Sequence, residues 1–338
     1  MSTTEPTDTR AEVLRELEGA AKLLLVTHEG PDGDALGSLV AMHGVLGALG
    51  RDAVMYMDRD ELPLPYEYRS FVPEGIATTI PDDVAERTVV FLDCGNIDRN
   101  PSDVATRGNG VVLNIDHHHD NTRFGTVDHV VADASCTAEI VWDLMRALGV
   151  EPTPTIADAL YVGLVTDTGR FMYENTGTRA HVMAAELVAA GVDVNAVYRR
   201  LYEEMPFSKL ELLSRGLANI RRFDEGRLTF TQLDRTDFEA AEAEESYSEG
   251  VIDHLRSVQG TRVAAMAREL LDPAKVGKRK VSLRATDGSV DVSVIARAGG
   301  GGGHRQAAGF TTAFAPDELV AFLREQIALQ LAPALPAS

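Results

Sequence analysis

In the stretch "LLLVTHEGPDGDALGSL" (Leu23–Leu39), a histidine and two aspartates, His28, Asp32 and Asp34, crowd around Gly30, Pro31 and Gly33. A turn needs the glycines and the proline, but not an imidazole and two carboxylates. Asp34 alone could cap the following helix and Asp32 could tie down the turn, so this stretch leaves a structural and a chemical reading open. The same pattern recurs downstream. "VVFLDCGNIDR" runs an apolar stretch into Asp93, "VVLNIDHHHDN" runs one into Asp116, His117, His118 and His119, and "LYVGLVTDTGRF" ends one at Asp167. If Asp32, Asp34, Asp93 and Asp167 converge with His28 and His117, four neighbouring carboxylates stay ionised only beside a cation. Mixed carboxylate and imidazole donors suit manganese or a similar divalent ion, whereas a closed structural zinc site draws on thiolates. One Asp at a strand end is an ordinary helix cap. Four, with His28 and a triple histidine, favour a metal site.

The elements that must position these residues follow from the apolar pattern. Leu23–Val26, Val54–Met57, Thr88–Leu92 and Val111–Ile115 are short, apolar and β-branched, and read as buried strands. Ala35–Leu49, Ser135–Leu148, Thr155–Leu164 and Thr178–Ala190 read as helices. The alternation predicts an α/β fold with a parallel sheet and helices on both faces. In such a sheet the carboxyl ends of the strands form the ligand crevice. From Gly191 to Phe223 the pattern is helical and charged, which suits a connector. Beyond it "RLTFTQLD", "RVAAMARELL" and "KVSLRAT" alternate as strands, interrupted by the acidic "DFEAAEAEESYSEG", a solvated helix face. The expected organisation is a catalytic domain over 1–190, a helical connector over 191–214 and a smaller α+β substrate-binding domain over 215–338.

The 338 residues suffice for two domains with cores of their own. No apolar run approaches the roughly 18 residues that span a bilayer, and the polar start "MSTTEPTDTRAEVLRELEG" is not a secretory signal, so no membrane association is expected. Cys94 and Cys136 make neither a disulfide framework nor a zinc cluster, and a reducing cytoplasm is the expected compartment. A net charge of −20 argues against coating long nucleic acid, while leaving room for a small anion in a locally positive pocket.

"HEGPDGDALGS", "LDCGNIDR", "DHHHDN" and "TDTGRF" together resemble the ordered signatures of the DHH phosphoesterase superfamily. "GGGGGHRQAAGF" resembles the glycine-rich signature of its associated substrate domain. Length and domain content are similar to the small bacterial members that degrade oligoribonucleotides and dephosphorylate adenosine 3′,5′-bisphosphate. The resemblance implies two divalent ions, manganese foremost. His28 and Asp32 would ligate one, Asp34, His117 and Asp167 the other, and Asp93 would bridge both. It gives catalytic roles to Asp93, to Asp116, which orients the histidines, and to His118, which faces the substrate phosphate or leaving group. His119 is read as a solvent-exposed neighbour and Asn121 as a loop-fixing hydrogen bonder. The partner implied is short RNA or a small nucleotide, and a homodimer is in keeping with the family.

Two divalent ions and four aspartates cancel in charge, so the centre serves to lower the pKa of a bridging water and hold the phosphoryl oxygen. Further positive charge must come from elsewhere. Arg284 in "SLRAT" is the expected phosphate clamp, since its fork suits bidentate contact. His304 and the backbone N–H groups of Gly302 and Gly303 in a flexible loop are expected to cradle the anion. Arg99 joins this set by resemblance, and Ser38, placed in the first turn of its helix, is also expected to contact substrate. Relatives often carry an aromatic residue where this chain has Gly299, which implies a looser loop and a missing base-stacking contact. An inorganic pyrophosphatase lacks this glycine–histidine loop, and a processive single-strand exonuclease is larger and more basic. A cyclic-dinucleotide phosphodiesterase is the nearer alternative. A non-catalytic nucleotide sensor would lack a ligand, and all six positions are filled.

Overall fold

A computed structural model describes residues 8–69, 71, 75–303 and 305–331. His304 lies outside the described residues. The chain divides into two compact units, Met1–Glu204 and Met205–Ser338. The division falls inside the stretch read as a connector.

The first unit is built on five strands, β1 (Lys22–Val26), β2 (Asp52–Met55), β3 (Thr88–Leu92), β4 (Val112–Asp116) and β5 (Val127–Val130). All neighbours run parallel, in the order β2-β1-β3-β4-β5. Four of these were legible as apolar runs. The edge strand β5 reads "VDHV", only partly buried and interrupted by Asp128 and His129, so no apolar run announces it. Helices α1 (Thr9–Gly19) and α2 (Gly33–Ala48) pack on one face of the sheet, with the short α3 (Tyr66–Arg69) contributing Tyr68. The opposite face is covered by short pieces, including α4 (Val104–Arg107), over Leu24, Val26, Val89 and Phe91. The remaining helices, α5 (Thr137–Ala147), α6 (Pro154–Asp167), α7 (Thr178–Ala189) and α8 (Val194–Tyr198), join the first face. Helices therefore lie on both faces, as expected, but the long ones share one side.

That side is held tight by glycine. A Cβ on Gly37 of α2 would stand 2.5 Å from the Ala159 carbonyl of α6, and one on Gly163 of α6 would stand 2.6 Å from the Ala138 side chain and 2.9 Å from Asp34 Oδ1. Only hydrogen fits there, and the close approach brings the starts of α2 and α5 against α6. Gly37→Val is expected to lower stability by about 2–3 kcal/mol, because an overpacked interface must spread backbone rather than rotate a side chain. Urea denaturation of the cation-free protein measures this, and an unchanged midpoint would contradict the packing argument.

In the second unit α9 (Phe207–Ala218) leads into β6 (Arg221–Phe223), β7 (Leu228–Leu233), α10 (Arg235–Ala241), α11 (Val251–Arg256), β8 (Val263–Glu269) and β9 (Arg279–Ala285). Then follow α12 (Val292–Ala298), β10 (Gly302–Gly303), β11 (Ala307–Thr312) and α13 (Pro316–Leu331). The sheet order is β10-β11-β9-β8-β7-β6, antiparallel except for β7–β8. α12 and α13 bury Val292, Ile295, Leu319 and Leu323 against it. No single helix among the described residues is long and apolar enough to cross a membrane.

Candidate metal centre

His28 leaves β1, Asp93 leaves β3, and Asp116 ends β4 just before His117 and His118. The helices supply the rest. Asp32, not Asp34, is the N-cap of α2: its Oδ1 accepts the Asp34 and Ala35 N–H groups at 3.0 and 3.1 Å. Asp34 is thereby free to turn inward, where it is fully buried. Asp167 arrives from the last residue of α6 rather than from a strand end, because the apolar run before it is helical throughout.

These side chains surround a gap instead of touching. Donor atoms of His28, Asp32 and Asp93 lie within 4.8 Å of one another, and so do those of Asp34, His117 and Asp167. His117 Nε2 stands 3.7 Å from Asp93 Oδ1, 3.8 Å from Asp167 Oδ2 and 4.0 Å from Asp34 Oδ2. His28 Nε2 stands 3.7 Å from the other Asp93 oxygen, Oδ2. All four separations are too long for hydrogen bonds. Oxygen and imidazole donors spaced this way, with four carboxylates among them, fit hard or borderline divalent cations. Asp93 presents one oxygen to each side, and its φ of 59° is a left-handed conformation that Asp tolerates better than most residues. A third grouping, Asp93 with His117 and His118, fits less well. The His118 Nδ1 that approaches Asp93 is already bonded to Asp116 Oδ1 at 2.7 Å.

Hydrogen bonds hold these donors in place. The Asp34 carboxylate accepts Thr137 N–H at 2.7 Å and Ala138 N–H at 2.9 Å. His28 Nδ1 lies 2.8 Å from the Glu29 carbonyl and 3.0 Å from Arg99 Nη2, which anchors the ring with Nε2 directed toward Asp93. Asn175 Nδ2 bonds both Asp167 Oδ2, at 3.0 Å, and the Ser135 carbonyl, at 2.8 Å. Asp116 is fully buried and is bonded to both Asn121 Nδ2, at 2.6 Å, and His118 Nδ1, at 2.7 Å. Asn121 Oδ1 accepts from Asn114 and from the Arg123 N–H, fixing the loop. His119 is exposed.

Charge follows from this crowding. Burial and the neighbouring Asp93 and Asp167 push the Asp34 pKa well above the carboxylate range. Burial also pushes Asp167 up to about 7. Against burial, Asp167, Asp93 and Asp34 lift His117 to about 9. Burial opposes ionisation of Asp93 as well, but His28, His118 and His117 together hold it far below the usual range. His118 is raised despite burial, by its bond to Asp116 and the charge of Asp93.

The residues expected to bind substrate are placed less uniformly. Ser38 does not belong with them: it lies in the second turn of α2, fully buried, with its hydroxyl 3.4 Å behind Asp34 Oδ1. Arg99 Nη2 stands 3.0 Å from His28 Nδ1, and among the described residues no carboxylate pairs with its guanidinium. Arg284 sits half-buried on β9 between Ala264 and Ala307. It donates to the Leu283 carbonyl at 3.1 Å and has no carboxylate partner among the described residues. Nearby Arg279 is by contrast held by Glu269 at 2.8 Å. Gly302 and Gly303 form the exposed edge strand β10, paired with Gly309 and Ala308, rather than an unpaired loop. A Cβ on Gly299 would fall 2.5 Å from the Phe310 ring, so Phe310 fills the space in which an aromatic residue there would have to fit. Thr137 and Asn175 escaped sequence reasoning. Neither type signals a role, and Thr137 acts on partners 44 and 103 residues away.

An open parallel sheet with carboxylates and imidazoles gathered around such a gap at its strand ends is a framework that could hold divalent cations. The family is shown by sequence similarity. The N-terminal domain of the DHH family matches residues 22–164 and the DHHA1 domain matches residues 236–329. The chain is 35% identical over 303 residues to the bifunctional oligoribonuclease and PAP phosphatase NrnA of Thermus thermophilus, covering 89% of this chain and 86% of that one. It is 25% identical over 305 residues to the probable enzyme of the same name from Streptococcus mutans, covering 88% and 91%. The chain belongs to the DHH family, a family of phosphoesterase hydrolases. The fold is shared with an exopolyphosphatase-related protein of Bacteroides fragilis (TM-score 0.85, 22% identity, 97% of this chain and 98% of that one). It is also shared with RecJ of Thermus thermophilus in complex with Mn2+ (TM-score 0.54, 16% identity, 96% of this chain and 55% of that one).

Proposed function

We propose that this protein is a phosphoesterase dependent on two divalent cations, preferentially manganese. It hydrolyses short oligoribonucleotides and dinucleotides to mononucleotides, and adenosine 3′,5′-bisphosphate to AMP. The observation that carries the reading is the gap between His28, Asp32 and Asp93 on one side and Asp34, His117 and Asp167 on the other, with one Asp93 oxygen toward each. Two cations held there would acidify the attacking water and neutralise charge on the phosphoryl oxygens. Asp93 would hold the two halves in register. His118, whose pKa the bond to Asp116 and the charge of Asp93 raise against burial, would serve as the general acid toward the departing ester oxygen.

Since the aspartates offset the cations, binding the substrate's other phosphate falls to positive charge outside the centre, with the Arg284 guanidinium the expected clamp. Arg284→Ala is therefore expected to raise KM for a 5′-phosphorylated dinucleotide by about 10–100-fold while kcat changes less than about threefold. Steady-state kinetics separates the two, and a loss confined to kcat would remove Arg284 from phosphate binding.

The decisive experiment is a manganese-supplemented hydrolysis panel of adenosine 3′,5′-bisphosphate, a 5′-phosphorylated diribonucleotide, a longer oligoribonucleotide, cyclic di-AMP and pyrophosphate. Turnover of the first two above the rest supports the proposal. Activity confined to cyclic di-AMP would move the protein to second-messenger turnover, and inactivity on every substrate with manganese bound would make it a nucleotide sensor.

A further inference from the structure

Helix α5 begins without a side-chain cap of its own: its N-cap residue, Cys136, makes no such bond. Its first N–H groups go instead to a carboxylate more than a hundred residues earlier. Thr137 N–H bonds Asp34 Oδ2 at 2.7 Å, and Ala138 N–H bonds Asp34 Oδ1 at 2.9 Å. The Thr137 hydroxyl turns the other way and donates to Asp93 Oδ1 at 2.9 Å. Thr137 is fully buried, so both bonds are made out of reach of solvent. One residue thus grips two carboxylates, one from the α2 side of the centre and one from the end of β3.

The atom it selects on Asp93 matters. Oδ1 faces His117 at 3.7 Å, while Oδ2 faces His28 at 3.7 Å. Rotation of the carboxyl about its Cβ–Cγ bond would exchange these directions, and the 2.9 Å bond from the Thr137 hydroxyl marks Oδ1 from Oδ2. We infer that Thr137 is a positioning residue that locks Asp93 in the orientation in which its two oxygens serve two cations separately. This rests on the two-cation reading above. Ligand orienters of this kind typically carry 10–100-fold in metal affinity.

The test uses full-length Thr137→Val, which keeps the shape and the N–H to Asp34 but removes the hydroxyl, beside Thr137→Ser, which keeps the hydroxyl. Manganese is titrated into each by calorimetry, and the loaded proteins are examined by electron paramagnetic resonance for the spin-coupled signal of two manganese ions sharing a bridging ligand. Wild type and Thr137→Ser are expected to bind two ions and show the coupled signal. Thr137→Val is expected to bind the second ion at least about tenfold more weakly, with the coupled signal replaced by that of isolated ions. Should circular dichroism show Thr137→Val unfolded, Thr137→Ala removes the same hydroxyl from a helix N-terminus that accepts alanine. A coupled signal and wild-type affinity in the hydroxyl-free variant would overturn the inference. Failure of wild type to bind two ions would instead overturn the two-cation reading itself.

Discussion

Asp93→Asn is expected to lower kcat/KM at least about a thousandfold, corresponding to roughly 4 kcal/mol of transition-state stabilisation, and to reduce bound manganese from two ions to one or none. Among the described residues, Asp93 alone faces both halves of the centre with its two oxygens, toward His28 on one side and His117 on the other. Neutralising it removes a charged donor from each. Asn is the informative substitution because position 93 has a φ of 59°, where Asn is tolerated and Ala is strained. Loss of activity in Asp93→Ala alone would confuse chemistry with backbone strain. Calorimetric manganese titration and hydrolysis of the bisphosphate, on the same preparation, give the two readouts. Turnover within tenfold of wild type would exclude Asp93 as the bridge.

Much of this centre could be read from the chain because its donors sit where apolar runs stop. Asp93, Asp116 and His117 follow buried strands, and the strands were legible from composition. What could not be read was decided by packing between distant segments. Asp32 and Asp34 are equally good caps by type and spacing, and only the 2.7 Å bond from Thr137 N–H shows which of them is drawn inward. Ser38 has the chemistry of a substrate contact, but α2 is buried through Leu36, Leu39 and Met42 on its flanks, and Ser38 goes with them. "LYVGLVTD" runs on from the helix read over Thr155–Leu164, and the structure carries that helix through to Asp167, so the carboxylate comes from a helix end and not from a strand. The glycine run before Arg305 looked like a loop because glycine is the usual sign of one. Here it is demanded by contact: a Cβ on Gly301 would clash with the Gly309 carbonyl, and one on Gly303 would meet Ala308 at 2.6 Å.

Without cations, the crowded centre must hold protons. Burial and the nearby Asp93 and Asp167 keep Asp34 protonated well above the usual carboxylate range, and burial places Asp167 near 7. His117, lifted to about 9 by Asp167, Asp93 and Asp34 against the effect of burial, is protonated across the neutral range. A cation can bind only where these groups have released their protons, so affinity must rise with pH. One proton displaced throughout the interval between pH 6 and pH 8 gives tenfold per unit, about 100-fold in all. Asp167 titrates inside that window and steepens the slope. Manganese affinity is therefore expected to fall at least about 100-fold from pH 8 to pH 6, and calorimetry in buffers of different ionisation enthalpy should detect at least one proton released per binding event. The direction separates this account from a simple surface cluster of acids, whose carboxylates are already ionised at pH 6 and whose affinity would stay flat. A flat profile without proton release would mean that the buried carboxylates carry no protons to displace, and the crowding that motivates the two-cation reading would lose its electrostatic basis.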